Sequence, residues 1–185
     1  MTALEPGERL AELIRDAVPA ADVLETRLED AQLPDGAFDS VVAATSLHWV
    51  DLSVALPTLH TALRPDGCLA VWRTVFGDDR VRTAFRDRVA SIVSERGTAD
   101  EPQREARPTM AELEAGGWFV PVLTDGWDWS IELDTEQVRR LFATFSNWSP
   151  DEVRRAADAA DELGGLVTEH YRTVLHLLRR SPAPT

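Results

Sequence analysis

The sequence predicts an α/β layered domain, and three observations carry that expectation. The first is the stretch from Gly36 to Asp51, where an apolar run, Val41 to Ala44, is opened by an acidic turn and closed by Thr45-Ser46 and then Leu47-His48-Trp49. Such a run reads as a strand buried in a parallel sheet, and its carboxyl end leads into a loop, the place where open α/β sheets bind ligands. The second is Leu63 to Trp72, which supplies a helix end, the turn Pro65-Asp66-Gly67 and another apolar strand. The third is the order strand, helix, strand, strand, helix, strand, with helices of about ten residues, the alternation expected of an α/β layer.

Each element has its own signal. Thr2-Ala3-Leu4 reads as the last residues of a strand, and Glu5-Pro6-Gly7 as the turn after it. From Glu8 to Val18, Leu10, Leu13, Ile14 and Ala17 share one helical face, and Pro19 ends the helix. Asp22 to Glu25 is a short strand, and Ala31 to Gly36 a loop with the turn pair Pro34-Asp35. After the strand around Val41 come a helix over roughly 53–63 and the strand Cys68 to Trp72. Arg80 to Glu95 predicts a charged helix with Val81, Phe85, Val89 and Ile92 inward, and Gly97 to Pro108 a polar, mobile loop. Thr109 with Glu112, Asp134 with Gln137, and Ser149-Pro150 with Glu152 each mark a helix start, and Gly116-Gly117 and Gly164-Gly165 mark helix ends. Trp118 to Leu133 alternates, with Trp127, Trp129, Ile131 and Leu133 on one side, and reads as strand; its alternating aromatics read as sheet core or, with Phe142, Phe145 and Trp148, as a cap that chooses a ligand, and Asp125-Gly126 is either a hairpin turn or a bulge. Tyr171 to Arg180 is ambiguous by periodicity, and Ser181 to Thr185 is a Pro-rich tail expected to be disordered.

Composition narrows the function. A chain of 185 residues that is 44% hydrophobic can bury a sizeable core. Its 32 acidic and 19 basic residues give a net charge of −13. That field repels phosphate backbones and anionic lipid, which argues against nucleic-acid or membrane-surface binding and for a small-molecule or protein partner. The single cysteine, Cys68, lies in an apolar strand and reads as a core residue. No apolar stretch has the length of a membrane span, so a cytoplasmic location is expected. His170 and His176 show no metal-ligand spacing, and no metal is expected.

The segments from Phe38 to Asp51 and from Leu63 to Trp72 together resemble the fourth and fifth strands of a class I S-adenosylmethionine-dependent methyltransferase of the type 11 kind. The resemblance implies a Rossmann-like open sheet, mostly parallel with an antiparallel last strand, and it resolves Tyr171 to Arg180 as that last strand. It also implies S-adenosylmethionine as cofactor and methyl transfer to a small-molecule acceptor, on oxygen. Residues 1–76 are then the cofactor-binding half, 77–180 a helical cap with the closing strands of the same domain, and 181–185 the tail.

Site residues follow from the same resemblance. Glu5, at the end of the Thr2-Ala3-Leu4 strand, would hold the ribose hydroxyls, since one carboxylate accepts two hydrogen bonds; a surface acid is the alternative. Glu29 would meet the adenine amino group, Asp30 would offer its backbone N–H to the ring, and Leu28 would pack on it; a solvated acidic loop is the alternative. Ala44, Thr45 and Ser46 would line the methionine portion, with Trp49 as a wall of the pocket or a cation–π partner of the sulfonium. His48 is the candidate general base, because its ordinary pKa lies near neutrality, against a merely buried histidine. Methyl transfer asks little acid–base work of a protein beyond aligning nucleophile, methyl and sulfur.

The family's opening strand and Gly-x-Gly-x-Gly loop, expected ahead of Thr2, have no counterpart in the sequence. The sheet is therefore expected to be N-terminally incomplete, at a cost on the order of 7–15 kcal/mol, with two strand edges left open to a homodimer or a protein partner. Met1 is accordingly expected to be an internal Val codon taken for the start. Two other function classes remain: a non-catalytic scaffold or partner-binding subunit, and a nicotinamide-dependent oxidoreductase that shares the acid after its second strand.

Overall fold

The structure, a computed structural model, describes residues 1–78, 80–96, 107–145 and 147–182. Most of the loop expected over 97–108 and the end of the expected tail, 183–185, lie outside the described residues. Among the described residues six strands and six α-helices follow in the order β1 (Thr2–Leu4), α1 (Glu8–Ala17), β2 (Asp22–Leu24), β3 (Phe38–Ala44), α2 (Leu52–Ala62), β4 (Leu63–Phe76), α3 (Ala84–Ser94), α4 (Met110–Glu114), β5 (Phe119–Asp134), α5 (Thr135–Phe142), α6 (Pro150–Glu162) and β6 (Leu166–Arg180). They form two sheets, β1–β2 and β3–β4–β6–β5. The α/β class expected from the sequence is the class observed.

The chain divides into two compact units, neither continuous in sequence: residues 1–72, 107–124 and 175–185 in one, 73–106 and 125–174 in the other. In the first unit β1 pairs with β2 in parallel, Ala3 opposite Val23, and β3 with β4 in parallel, Val41 opposite Leu69 and Ala44 opposite Trp72. Parallel neighbours need a crossover, and α1 and α2 supply the two. Side chains of β3, α2 and β4 make the core, with Leu56, Leu59, Leu63, Leu69 and Val71 buried beside Leu113 and Phe119. Gly67 has no room for a side chain: a Cβ there would lie 2.9 Å from the Arg64 carbonyl oxygen and 3.2 Å from that of Asp39. The register of β3 on β4 steps at this turn, from Phe38 opposite Leu63 to Ser40 opposite Cys68. Strand β4 therefore starts at Leu63, ahead of the expected Cys68.

Strands β1 and β3, the two edges expected to be open, are outer strands of separate sheets among the described residues. Val42 of β3 is 59% exposed, and Leu10 and Leu13 of α1 are also exposed rather than buried as the helical face predicts. The expected tail is held at its first residue, where Ser181 is buried, its N–H donates to the Trp118 carbonyl and its own carbonyl meets His60 Nε2 at 3.0 Å.

In the second unit α3, α5 and α6 enclose an apolar core of Phe85, Val89, Ile92, Val138, Phe142, Val153 and Ala156, with Leu133 and Val167 from the strands. Thr74 of β4 meets Thr173 of β6, and Asp78, just past β4, donates its N–H to His170; advancing along β4 moves backward along β6, so the two run antiparallel. Capping boxes start α5 at Asp134 and α6 at Ser149, as does Thr109 for α4 in the first unit. Helix α3 starts at Ala84 rather than Arg80, because Asp78 accepts from the backbone N–H of Arg80 in a turn and Thr83 is the residue that caps the helix. Strand β5 runs unbroken through Asp125-Gly126, so there is no hairpin turn. A Cβ on Gly126 would lie 3.1 Å from Arg172 Nη2 and 3.3 Å from the Thr173 carbonyl, a close approach that a glycine accommodates. Trp127 and Trp129, read as sheet core, are exposed, as is Ile131 beside them, while Leu133 of the same strand is buried.

Candidate functional site

The carboxyl ends of β1, β2 and β3 carry most of the acids and loops singled out in the sequence. Glu5 follows β1, fixed by its N–H to the Leu24 carbonyl, and its Oε1 accepts from the Gly7 N–H at 2.8 Å. A single 2.8 Å bond leaves the other carboxylate oxygen open to a ligand hydroxyl. Beyond β2, Leu28–Asp30 form one 3-10 turn. Within it the Asp30 N–H donates to the Arg27 carbonyl and the Ala31 N–H to the Leu28 carbonyl, both at 3.2 Å, so the backbone donor expected to meet adenine is engaged inside the turn. Leu28 is half-buried against the first unit's core.

Glu29 is the tie between loops. Its Oε1 accepts from Arg27 Nη2 at 2.9 Å and from the backbone N–H of Asp51 at 3.2 Å. The Arg27 guanidinium, helped by these N–H groups, holds the Glu29 carboxyl below the usual carboxylate range. Asp51 in turn caps α2, its Oδ1 accepting from Ser53 N–H at 2.9 Å and from the Ser53 hydroxyl at 2.6 Å. The loop after β2 is thereby fastened to the loop after β3. The acid of this turn with an exposed side chain is Asp30.

Past β3, Thr45 has φ of +51°, a conformation that a β-branched residue adopts only when its surroundings enforce it, and its N–H donates to the Trp72 carbonyl. Strain of this kind concentrates where a backbone is shaped for a task, and here it re-aims the chain as it leaves the sheet. Ala44 and Ser46 are exposed. Leu47–Trp49 form a second 3-10 turn, with Leu47 buried and Trp49 69% exposed. The His48 imidazole lies 4.6 Å from the Trp49 indole, centroid to centroid. The structure thus joins Leu28, Glu29 and Asp30 to the His48–Asp51 loop through a direct hydrogen bond. It places Glu5 next to β2 at the same end of the parallel pair, with no bond to Ala44, Thr45 or Ser46 among those described.

The second unit holds a different polar constellation, in a cavity of about 370 Å³ bordered by Asp78, Arg80, Asp128, Trp129, His170 and Tyr171. Arg80 grips Asp78 in a two-point pair at 2.8 and 2.7 Å and reaches Asp128 at 2.6 Å. This pairing pulls the Asp78 carboxyl down to about 2, while burial, with a contribution from Glu169, pushes the Tyr171 hydroxyl up to about 12. Sequence reasoning missed this group because its members lie on three distant segments; the local signal was the Asp78–Arg80 spacing. Among the described residues no group of three or more His, Cys, Asp or Glu side chains could hold a metal, and no helix is long and apolar enough to cross a membrane.

Comparison with known proteins bears on the first of these sites. Residues 1–71 match the methyltransferase domain family. An uncharacterized methyltransferase of Mycobacterium tuberculosis is 35% identical over 75 residues, 40% of this chain and 31% of that protein. The mitochondrial arginine-hydroxylase NDUFAF5 of Rattus norvegicus is 39% identical over 67 residues, 36% of this chain and 19% of its own. The chain thus aligns with a third or less of the length of these relatives. In fold, the YcgJ protein of Bacillus subtilis matches with a TM-score of 0.60 at 11% identity, covering 98% of this chain and 82% of its own. Geranyl diphosphate C-methyltransferase of Streptomyces coelicolor, solved with S-adenosyl-L-homocysteine, matches with a TM-score of 0.50 at 15% identity, covering 97% and 62%. Residues 1–71 thus resemble the methyltransferase domain family, and the chain takes the fold of solved S-adenosylmethionine-dependent methyltransferases.

Proposed function

We propose that the protein binds S-adenosylmethionine along the carboxyl ends of β1, β2 and β3 and transfers its methyl group to a small-molecule acceptor, on oxygen. The observation that carries this reading is the Glu29–Asp51 hydrogen bond, which fastens the two loops a nucleoside would touch into one wall. Solved neighbours that hold S-adenosylmethionine or its demethylated product support the cofactor. Glu5 would receive the ribose hydroxyls on its open oxygen. Since Glu29 is already bonded twice, the exposed carboxylate of Asp30 is the better partner for the adenine amino group, with Leu28 against the ring. Ala44, Thr45 and Ser46 would line the methionine portion, and the Trp49 indole would cover it. His48, beside Trp49, would take the proton of an acceptor hydroxyl; a carboxylate acceptor would need no base. The cofactor supplies an activated methyl group, and this chain supplies alignment and exclusion of water.

One feature favours a second reading, a non-catalytic scaffold: β1 and β3 belong to separate sheets, so the wall under the methionine portion is open among the described residues. Calorimetric titration with S-adenosylmethionine decides between them. Saturable heat that Glu5→Ala weakens at least ten-fold supports the enzyme, and no heat at high micromolar cofactor supports the scaffold. A radiolabelled methyl-transfer assay against small hydroxyl and carboxyl acceptors then tests the chemistry.

A further inference from the structure

Segment Asp125–Asp134 of β5 is an outer strand whose free edge has the length and composition of an interface. Among the described residues β5 is the last strand of its sheet, and within this segment Trp127, Trp129 and Ile131 are 47%, 39% and 41% exposed at alternating positions of one face. Ten residues at about 3.3 Å each present roughly 33 Å of unpaired backbone donors and acceptors. Outer strands usually carry basic residues or are covered, and this segment has no Lys or Arg. Its central carboxylate, Asp128, is neutralised from within, held by Arg80 at 2.6 Å and by Arg172 at 3.0 Å.

We propose that a second copy of this chain pairs with this segment, antiparallel about a two-fold axis through Trp129. The axis stands perpendicular to the sheet, so residues that face each other must come from the same face. With Trp129 opposite itself, Trp127 faces Ile131 on the apolar side, Asp128 faces Ser130, Gly126 faces Glu132, and Asp125 faces Leu133. No carboxylate faces another. Moving the centre to Asp128 sets Asp128 against its own copy, and moving it to Ser130 sets Asp128 against Glu132. Centring on Trp127 puts Asp125 against Trp129. Like charges directly opposite exclude the registers centred on Asp128 and Ser130; of the other two, centring on Trp129 pairs the exposed Trp127 with the exposed Ile131, whereas centring on Trp127 sets a carboxylate against the exposed Trp129. Three half-exposed side chains bury on the order of 200–300 Å² a side, below the roughly 800 Å² of a standard interface. The dimer is accordingly reversible, and because each copy carries net charge −13, it tightens with added salt.

Sedimentation velocity over a wide concentration range reads the mass directly. The expected result is a concentration-dependent rise from 20.5 kDa toward twice that mass, enhanced by salt. Trp127→Glu should weaken association about ten-fold or more, because it acts at two symmetric pairs, whereas Trp127→Arg with Ile131→Glu should restore it through opposite charges. In a Cys68→Ser background, Trp129→Cys should form an intermolecular disulfide and Ser130→Cys should not, because only the former faces its own copy. Circular dichroism confirms that each variant is folded. A wild-type chain that stays at 20.5 kDa throughout overturns the proposal, as does a dimer indifferent to Trp127→Glu or one that cross-links equally through Ser130→Cys.

Discussion

Replacing Arg86 by Met should expose how the second unit tolerates a buried charge. Glu169 on β6 is 0% exposed and pairs with Arg86 Nη2, while its Oε1 has no hydrogen-bond partner among the described residues. Burial pushes the Glu169 carboxyl above the usual carboxylate range, and Arg86 offsets only part of that rise. Removing one member of a buried pair costs about 3–5 kcal/mol, because the other charge stays desolvated and alone. For a chain of this size that corresponds to a drop in Tm of roughly 6–20 °C. A carboxyl whose folded pKa lies above its unfolded value binds protons more tightly in the folded state. The protein therefore keeps that contribution below the unfolded value and loses it as pH rises through the folded one. Arg86→Met raises the folded value further, so its destabilisation should grow from pH 5 to pH 7. Adding Glu169→Gln should return most of the loss. Urea melts of the wild type, Arg86→Met and the double variant at both pH values test this. A deficit equal at pH 5 and pH 7, and unrelieved by Glu169→Gln, refutes the reasoning.

Further outcomes follow from single positions. Gly77→Ala should destabilise by more than the roughly 1 kcal/mol of an ordinary left-handed glycine, since φ is +81° and the new Cβ would sit 2.6 Å from Arg86 Cζ; thermal melts read this directly. Ser149→Ala should cost about 1 kcal/mol in urea melts by removing one arm of the α6 capping box. The Ser149 N–H, Arg96 and the Ser149 hydroxyl hold Glu152 down to about 2, so the stability it contributes is complete above its ordinary value of 4.5 and is lost as pH falls toward 2; Glu152→Gln should flatten that acid limb. Glu29→Gln should loosen the loop after β2 and weaken S-adenosylmethionine binding less than Asp30→Asn does, as measured by calorimetry.

The sequence made the capping boxes at Thr109, Asp134 and Ser149 legible because their signals are local, a short polar cap with its acid or amide three residues on. Strand β3 was legible for the same reason: a short apolar run between turn residues has few other readings. The exposed faces of α1 and β5 were not, because alternation and helical spacing show that a face is apolar without showing whether anything covers it. At the candidate site, the resemblance pointed to the Glu5 and Glu29 carboxylates and the Asp30 N–H, but not to the bonds that Glu29 and the Asp30 N–H make within the protein. Whether Glu29 faces a ligand or ties two loops depends on the N–H of Asp51, twenty-two residues away. Asp128 lies 48 residues from Arg80, and Glu169 lies 83 from Arg86, so no local window shows either partnership.

A crystal structure of the chain with S-adenosyl-L-homocysteine tests the central proposal most directly. The account predicts ribose hydroxyls within hydrogen-bond distance of the Glu5 carboxylate, the adenine edge at Asp30 and the thioether beside Thr45 and Trp49. A nucleoside bound elsewhere on the surface, with the Glu5 carboxylate still accepting only from the Gly7 N–H and the loop after β3 untouched, would contradict it.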